Sequence, residues 1–226
     1  MPSEESYKVI EGDWKDFRFR RVLPADYEAV QEHVAQNFVR DENTCKLLGW
    51  NEDFAADVSL VVSLFLPEGL SFIAEHIPTG KIAGVRITFH HKPDSSFDGV
   101  PLKSRNSKIL LKLVNEIEEM ADVVNKHGID TWAEFFIAST SPDFRNQGLA
   151  GEFYDRSINF LTAEGFKHAL VVVTSPYTRK ATIKRGFEQQ SRIDYENFLD
   201  FDEKTPVFKK EDLTSEHYAM VMLKTL

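Results

Sequence analysis

One stretch, Phe135–Gly151 (FFIASTSPDFRNQGLAG), constrains the fold of this chain more than any other. An apolar, strand-like run enters a short loop, and the loop opens directly into a helix. The pattern Arg145-x-x-Gly148-x-Ala150 sets small residues at the helix start, where backbone can approach a bulky group closely. The first amides of a helix have no internal acceptor, and the helix dipole favours negative charge there. Arg145 adds a cation able to make charge-assisted bonds. These features together predict a pyrophosphate site. It is neither a Walker loop, which needs Gly-Lys-Ser or Gly-Lys-Thr, nor a Rossmann fingerprint, which needs G-x-G-x-x-G.

The rest of the chain supplies alternating elements around this segment. Residues 1–15 are polar and are expected to be loosely held. Phe17 and Phe19 alternate with Arg18 and Arg20 as a short strand, and Asp26 is the expected N-cap of a helix carrying Val30, Val34 and Phe38 on one face. A second helix is predicted from about Asn51 to before Pro67. Ser71–Ile77 and Lys81–His90 flank the turn Pro78-Thr79-Gly80 as a hairpin, and Lys92–Asn106 reads as a surface loop. Ser107–Lys126 is predicted as one helix, with Ile109, Leu110, Leu113, Val114, Ile117, Met120, Ala121 and Val124 on its apolar face and Gly128 ending it. Beyond it come a strand Thr131–Ser139, a helix Leu149–Gly165, a strand Ala169–Val173, a helix Ser175–Arg185, and strands Glu188–Asp194 and His217–Leu223. That order predicts an α/β or α+β layered fold, and no linker divides the 226 residues into two domains.

Composition narrows the partners. Lys and Arg number 27 against 36 Asp and Glu, a net charge of −9. This argues against nucleic acid and suits a cationic ligand. A single cysteine, Cys45, permits no intrachain disulfide, so a reducing, cytoplasmic setting is expected. No secretory h-region opens the chain and no apolar run approaches a membrane span, so no membrane role is expected. The seven histidines have no metal-ligand spacing, and no metal site is proposed.

The phosphate-loop pattern, its Pro-x-Phe-Arg lead-in, and Arg185-Gly186-Phe187 after a further strand and helix resemble the Gcn5-related N-acetyltransferase superfamily. Phe38-Val39-Arg40-Asp41-Glu42-Asn43 is similar to the F-x-x-D-E-P-L segment of invertebrate arylalkylamine N-acetyltransferases, dopamine and serotonin N-acetyltransferases among them. Thr174-Ser175-Pro176-Tyr177-Thr178 resembles that family's S-S-x-Y-S stretch. The resemblance implies the acetyltransferase fold, with a mixed, mostly antiparallel, twisted central sheet flanked by helices. It implies acetyl-CoA as co-substrate, and a small arylalkylamine such as dopamine, tyramine, octopamine, tryptamine or serotonin as acceptor. A monomer or weak dimer is expected. Polyamines or amino acids as acceptors, or a CoA-binding protein of weak catalysis, are the alternatives. The departures are Asn43 in place of proline, Thr178 in place of serine, and Thr182 where many relatives place a tyrosine general acid.

The same resemblance assigns roles. Glu42 is the general base, and Ser175 and Thr178 lie near the thioester. Ala138, Thr140, Arg145, Asn146, Gln147, Gly148, Leu149, Ala150 and Gly151 bind the coenzyme, while Asp41 lines the site beside Glu42. The residues themselves add two candidates to face the amine: Glu134, which alternates with aromatic neighbours along its strand, and His217, which reads equally as a core or surface histidine. Alternatives stand beside these roles. Arg40–Asn43 reads equally as a solvated charged turn, Glu134 as an outward strand residue or a rival base, and Ser175 before Pro176 as an N-cap. Phe38, Phe135 and Phe136 with Trp50 are candidates for an aromatic pocket wall.

Overall fold

The computed structural model describes residues 2–226. Eight strands form one sheet: β1 (Gly12–Trp14), β2 (Phe17–Arg21), β3 (Phe72–His76), β4 (Lys81–His91), β5 (Trp132–Thr140), β6 (His168–Val173), β7 (Glu188–Asp194) and β8 (Tyr218–Thr225), in the order β1-β2-β3-β4-β5-β6-β8-β7. Every adjacent pair is antiparallel except β5 with β6. The helices are α1 (Glu4–Ile10), α2 (Tyr27–His33), α3 (Val39–Asp41), α4 (Asn43–Leu48), α5 (Glu52–Phe65), α6 (Arg105–Ala121), α7 (Val123–His127), α8 (Leu149–Ala163) and α9 (Pro176–Ile183). The layered, mostly antiparallel architecture predicted from the sequence is the one observed.

The parallel pair decides where a ligand can enter. β5 and β6 are in register only at Ala133–Ala169 and Glu134–Leu170. Beyond those residues β5 continues beside β4, and β6 continues beside β8. The sheet therefore splits into a wedge with Phe135–Thr140 on one side and Val171–Val173 on the other. Ala138 is exposed in mid-strand as a result. A bulge sharpens this. Between the pairs Ile87–Ile137 and Phe89–Glu134, β5 spends one residue more than β4. The side-chain alternation resets across it. Ala133 and Phe135 pack into the core beneath α8, whereas Ile137 packs with Val30, Val58 and Val62 of α2 and α5.

Three expectations are corrected. The N-terminal segment is not loose: Ser3 caps α1, Tyr7 and Ile10 are buried, and Tyr7 stacks on Phe160 of α8 at 5.7 Å. Two anchors within a charged stretch fix it, too few to register as a periodic face. Asp26 does not cap from the N-cap position. Its carboxylate reaches back to the Leu23 N–H at 2.8 Å and pairs with Arg20 at 2.6 Å, so the helix starts as a 3-10 turn at Pro24. The helix predicted over 107–126 breaks at Asp122, which sits in the left-handed region at φ 48°. Ile109, Leu113, Ile117 and Ala121 form its buried stripe, while Met120 and Val124 are exposed. The Lys126 ammonium donates to the carbonyls of Met120 and Ala121, both at 2.9 Å, satisfying the broken end.

Candidate active site

The wedge opens into a cavity of about 740 Å³. Its two ends are built differently. At one end α8 begins at Gly148 with φ 93°, and no side chain caps it. Asn146 is also left-handed, at φ 62°. Gly148, Leu149 and Ala150 line the cavity. Unsatisfied amides at a helix start, on a backbone folded close by a left-handed glycine, are an anion seat. Arg145 lies beside it, its Nε donating to the Thr140 carbonyl at 3.2 Å and its Nη2 paired with the Asp41 carboxylate. A second cation comes from the β1–β2 hairpin: Lys15 Nζ donates to the Gln147 carbonyl at 2.7 Å and stands over the Trp14 ring. The left-handed Lys15 that tightens this hairpin gives no pattern tying it to a loop 132 residues away.

The other end is acidic and apolar together. Five carboxylates line the cavity: Glu42, Asp57, Glu118 and Glu134, and Asp41, which pairs with Arg145 between the two ends. Glu42 caps α4, accepting from the Cys45 N–H at 2.8 Å through Oε2. Its Oε1 accepts from the Thr44 hydroxyl at 3.2 Å and from the Thr174 hydroxyl. The Asn43 amide donates to the Thr174 carbonyl at 3.0 Å and ties this turn to the end of β6. The fully buried Thr44 in turn contacts the Tyr195 hydroxyl at 2.5 Å. Glu134 is buried and accepts from the Trp132 indole N–H at 2.9 Å. Burial, then the neighbouring Glu118, pushes its carboxyl far above the usual carboxylate range. Burial raises Glu118 to about 7. Asp57 instead accepts from the backbone of Lys103 and Ser104 at 2.8–3.1 Å, pinning the loop predicted over 92–106 against the cavity. That loop contributes Phe97, which with Phe136 and Phe38 makes an aromatic wall.

Most of the residues predicted for the site converge here: Asp41, Glu42, Glu134, Ala138, Thr140, Arg145, Asn146, Gly148, Leu149, Ala150, Ser175 and Thr178 all line the cavity. Ser175 is also the N-cap of α9, accepting from the Thr178 N–H at 3.1 Å, with the two hydroxyls 2.9 Å apart. Capping and lining are therefore one geometry. Gln147 and Gly151 do not line the cavity; the Gly151 carbonyl is taken by Arg185 at 2.9 Å. His217 is a correction. It lies before β8, outside the cavity lining, where its Nδ1 accepts from the Thr214 N–H at 2.9 Å. Trp50 is also elsewhere, under the Arg40 guanidinium at 4.1 Å. Thr182 offers no substitute proton donor, because its hydroxyl bonds back to the Thr178 and Arg179 carbonyls. Sequence reasoning missed Lys15, Thr44, Asp57, Glu118, Thr174 and Tyr195, whose roles arise only from contacts between distant elements. Two had a signal: Glu118, as an acidic residue beside the apolar face of α6, and Thr174, as the first residue of the stretch Thr174–Thr178.

Buried Arg86 also reaches this cavity, held between the Phe135 and Tyr154 rings at 4.3 and 4.5 Å. Its Nε donates weakly to Ser157 at 3.4 Å and its Nη2 has no hydrogen-bond partner. Among the described residues, no cluster of His, Cys, Asp and Glu is placed to hold a metal ion, and no helix is long and apolar enough to cross a membrane.

No protein-family model matches the sequence. Solved structures do match the fold. Arylalkylamine N-acetyltransferase 2 from Aedes aegypti superposes with a TM-score of 0.79 at 21% identity, over 93% of this chain and 99% of that one. A mosquito arylalkylamine N-acetyltransferase like 5b gives 0.81 at 19% identity, over 93% and 100%. The polyamine N-acetyltransferase of Drosophila melanogaster gives 0.78 at 17% identity, over 93% and 100%. The chain thus shares its overall fold with these proteins, and it has the Gcn5-related N-acetyltransferase fold.

Proposed function

We propose that this protein transfers the acetyl group of acetyl-CoA to a primary amine, with an arylalkylamine as acceptor. One observation carries the reading: a single cavity joins an uncapped helix start flanked by cations to a carboxylate-lined, aromatic-walled chamber through a gap in the sheet. A nucleotide thioester and an amine are a pair of ligands that fit those two ends.

The residues present fit the coenzyme. The α8 amides with Arg145 and Lys15 would hold the pyrophosphate, and the unpaired edges of β5 and β6 would accept the extended arm as a strand accepts a neighbour. Acetyl-CoA supplies the activated acyl group. The protein's own task is the amine, which at neutral pH is mostly an ammonium of pKa about 10 and no nucleophile. Glu42 is the proposed acceptor of its proton, since it faces the cavity beside the wedge in an orientation fixed by Thr44, Thr174 and the Cys45 N–H. Glu134 is the rival, deeper and protonated more readily. Backbone N–H groups of β5 near Ala138 would meet charge developing on the acyl oxygen. Phe38, Phe97 and Phe136 would bury the aryl ring.

A dicationic amine is the second reading. Five carboxylates from separate elements line the cavity, an acidic groove that no stretch of sequence displays, and a polyamine N-acetyltransferase shares the fold. Thiol release from acetyl-CoA decides between them, with kcat/KM compared for tryptamine, tyramine, spermidine and a lysine peptide. The arylethylamines are expected to lead. A tenfold advantage for spermidine or the peptide replaces the acceptor but keeps the transferase, and no release with any amine removes catalysis. Glu42→Gln should lower kcat by about 10²-fold. A near-normal Glu42→Gln with a crippled Glu134→Gln moves the base to Glu134.

A further inference from the structure

The hydroxyl groups behind Glu42 have only one consistent direction of donation. A carboxylate accepts only, so the Thr44 hydroxyl donates to Oε1 at 3.2 Å. Its single proton is thereby spent. The Tyr195 hydroxyl, 2.5 Å from it, must then donate to Thr44. Tyr195 and Thr44 are both 0% exposed, and Thr44 is the only hydrogen-bond partner of the tyrosine hydroxyl among the described residues. The chain cannot reverse: a reversed chain would leave the buried tyrosine proton with no acceptor, at the cost of an unsatisfied polar group. Thr174 gives Oε1 a second hydroxyl donor, whereas Oε2 carries only the Cys45 N–H. Oε1 is filled and Oε2 keeps a free lone pair.

Resting on the reading of Glu42 as base, we infer that Tyr195 and Thr44 are positioning residues that reserve Oε1 as an acceptor and make Oε2 the atom that takes the amine proton. In that step the ammonium N–H bond breaks, its electron pair stays on nitrogen as the nucleophilic lone pair, and an O–H bond forms at Oε2. Burial and the adjacent Glu42 charge hold the Tyr195 phenol well above its usual range, so it remains a donor at working pH. The other titratable and charged groups near Glu42 are Cys45 on α4, whose thiol is also pushed up by burial, together with Lys46 and the Asp41–Arg145 pair.

The test uses the full chain as wild type, Tyr195→Phe, Thr44→Val, Thr44→Ser, Glu42→Gln and Glu42→Gln/Tyr195→Phe, assayed by thiol release with acetyl-CoA and tryptamine across pH. Tyr195→Phe should lower kcat by about threefold to tenfold, leave both KM values within about twofold, and move the acid limb of the kcat profile upward. Thr44→Ser should keep the wild-type profile and Thr44→Val should lose it. In the Glu42→Gln background, Tyr195→Phe should change nothing further. A readout independent of turnover is the buried Tyr195–Thr44 hydroxyl proton, expected as a slowly exchanging downfield resonance that moves in Glu42→Gln and vanishes in Tyr195→Phe. If Glu42→Gln collapses the rate while Tyr195→Phe and Thr44→Val keep the wild-type kcat and acid limb, the inference is wrong and the base stands. If Glu42→Gln is near-normal, the base reading has failed and the inference falls with it. If the resonance ignores Glu42→Gln, the chain does not report to Glu42 and the inference is overturned whatever the activity.

Discussion

Replacing Glu118 with glutamine should make the protein markedly more resistant to unfolding in mild alkali and little changed in mild acid. Glu118 faces the cavity on α6 with no ion-pair partner among the described residues, and burial raises it from 4.5 to about 7 in the folded chain. A raised carboxyl binds its proton more tightly folded than unfolded, so the folded state is favoured while both forms are protonated. That contribution is lost as pH rises from about 4.5, where the unfolded chain ionises, to about 7. The shift corresponds to an ionisation cost of about 3 kcal/mol, an upper figure because the side chain lies at a cavity wall that water can reach. Another buried group has the opposite sign. Burial lowers His33 to about 4, so its contribution is present above 6.5 and is lost as pH falls toward 4. The informative quantity is therefore the difference between variant and wild type, in which His33 cancels. Urea unfolding at about pH 5 and about pH 8 measures it. Glu118→Gln should gain about 2 kcal/mol on wild type between those conditions. Its loss of charge should also let the neighbouring Glu134 ionise more easily. An equal stability difference at both pH values would refute the argument, because it would mean that Glu118 ionises in the folded chain as freely as in the unfolded one.

Gly148→Ala should cost about 1–2 kcal/mol of stability from the left-handed backbone, its Cβ already meeting the Trp14 ring at 3.3 Å, and Gly148→Val more, since its methyl groups extend beyond that tight contact. Both should raise the KM for acetyl-CoA, and wild-type coenzyme affinity in Gly148→Val, read by titration calorimetry, would sink the assignment of this loop. Arg145→Ala should weaken acetyl-CoA by about tenfold or more, the scale of one charge-assisted contact, while an acetylpantetheine fragment, which lacks the pyrophosphate, should bind the variant and wild type alike.

The glycine-rich turn could be read from the sequence because its chemistry is local. Arg145, Gly148 and Ala150 are neighbours along the chain, and a strand running into a helix needs few tertiary contacts to present its amides. The alternating strands and the α5 and α6 stripes were legible for the same reason: periodicity of 2 or 3.6 records which face is buried. The break at Asp122 was not, because a left-handed residue and a lysine folding back on carbonyls leave no period. Neither was the anchored N-terminus, whose order comes from Tyr7 and Ile10 meeting α8. Glu42 was identifiable through the residues around it, yet what sequence offered as a charged turn or a base is physically a helix cap, oriented by hydroxyls 2 and 132 residues away and, through Thr44, by that of Tyr195. The divergence of β5 from β6, the bulge that resets β5, and the meeting of Glu118 with Glu134 are decided by strand pairing and layer packing alone. Local sequence determines which groups can donate, accept or carry charge; only the tertiary structure brings an anion seat and an acidic chamber to opposite ends of one cavity, because the split in the sheet that joins them exists only once distant strands have paired.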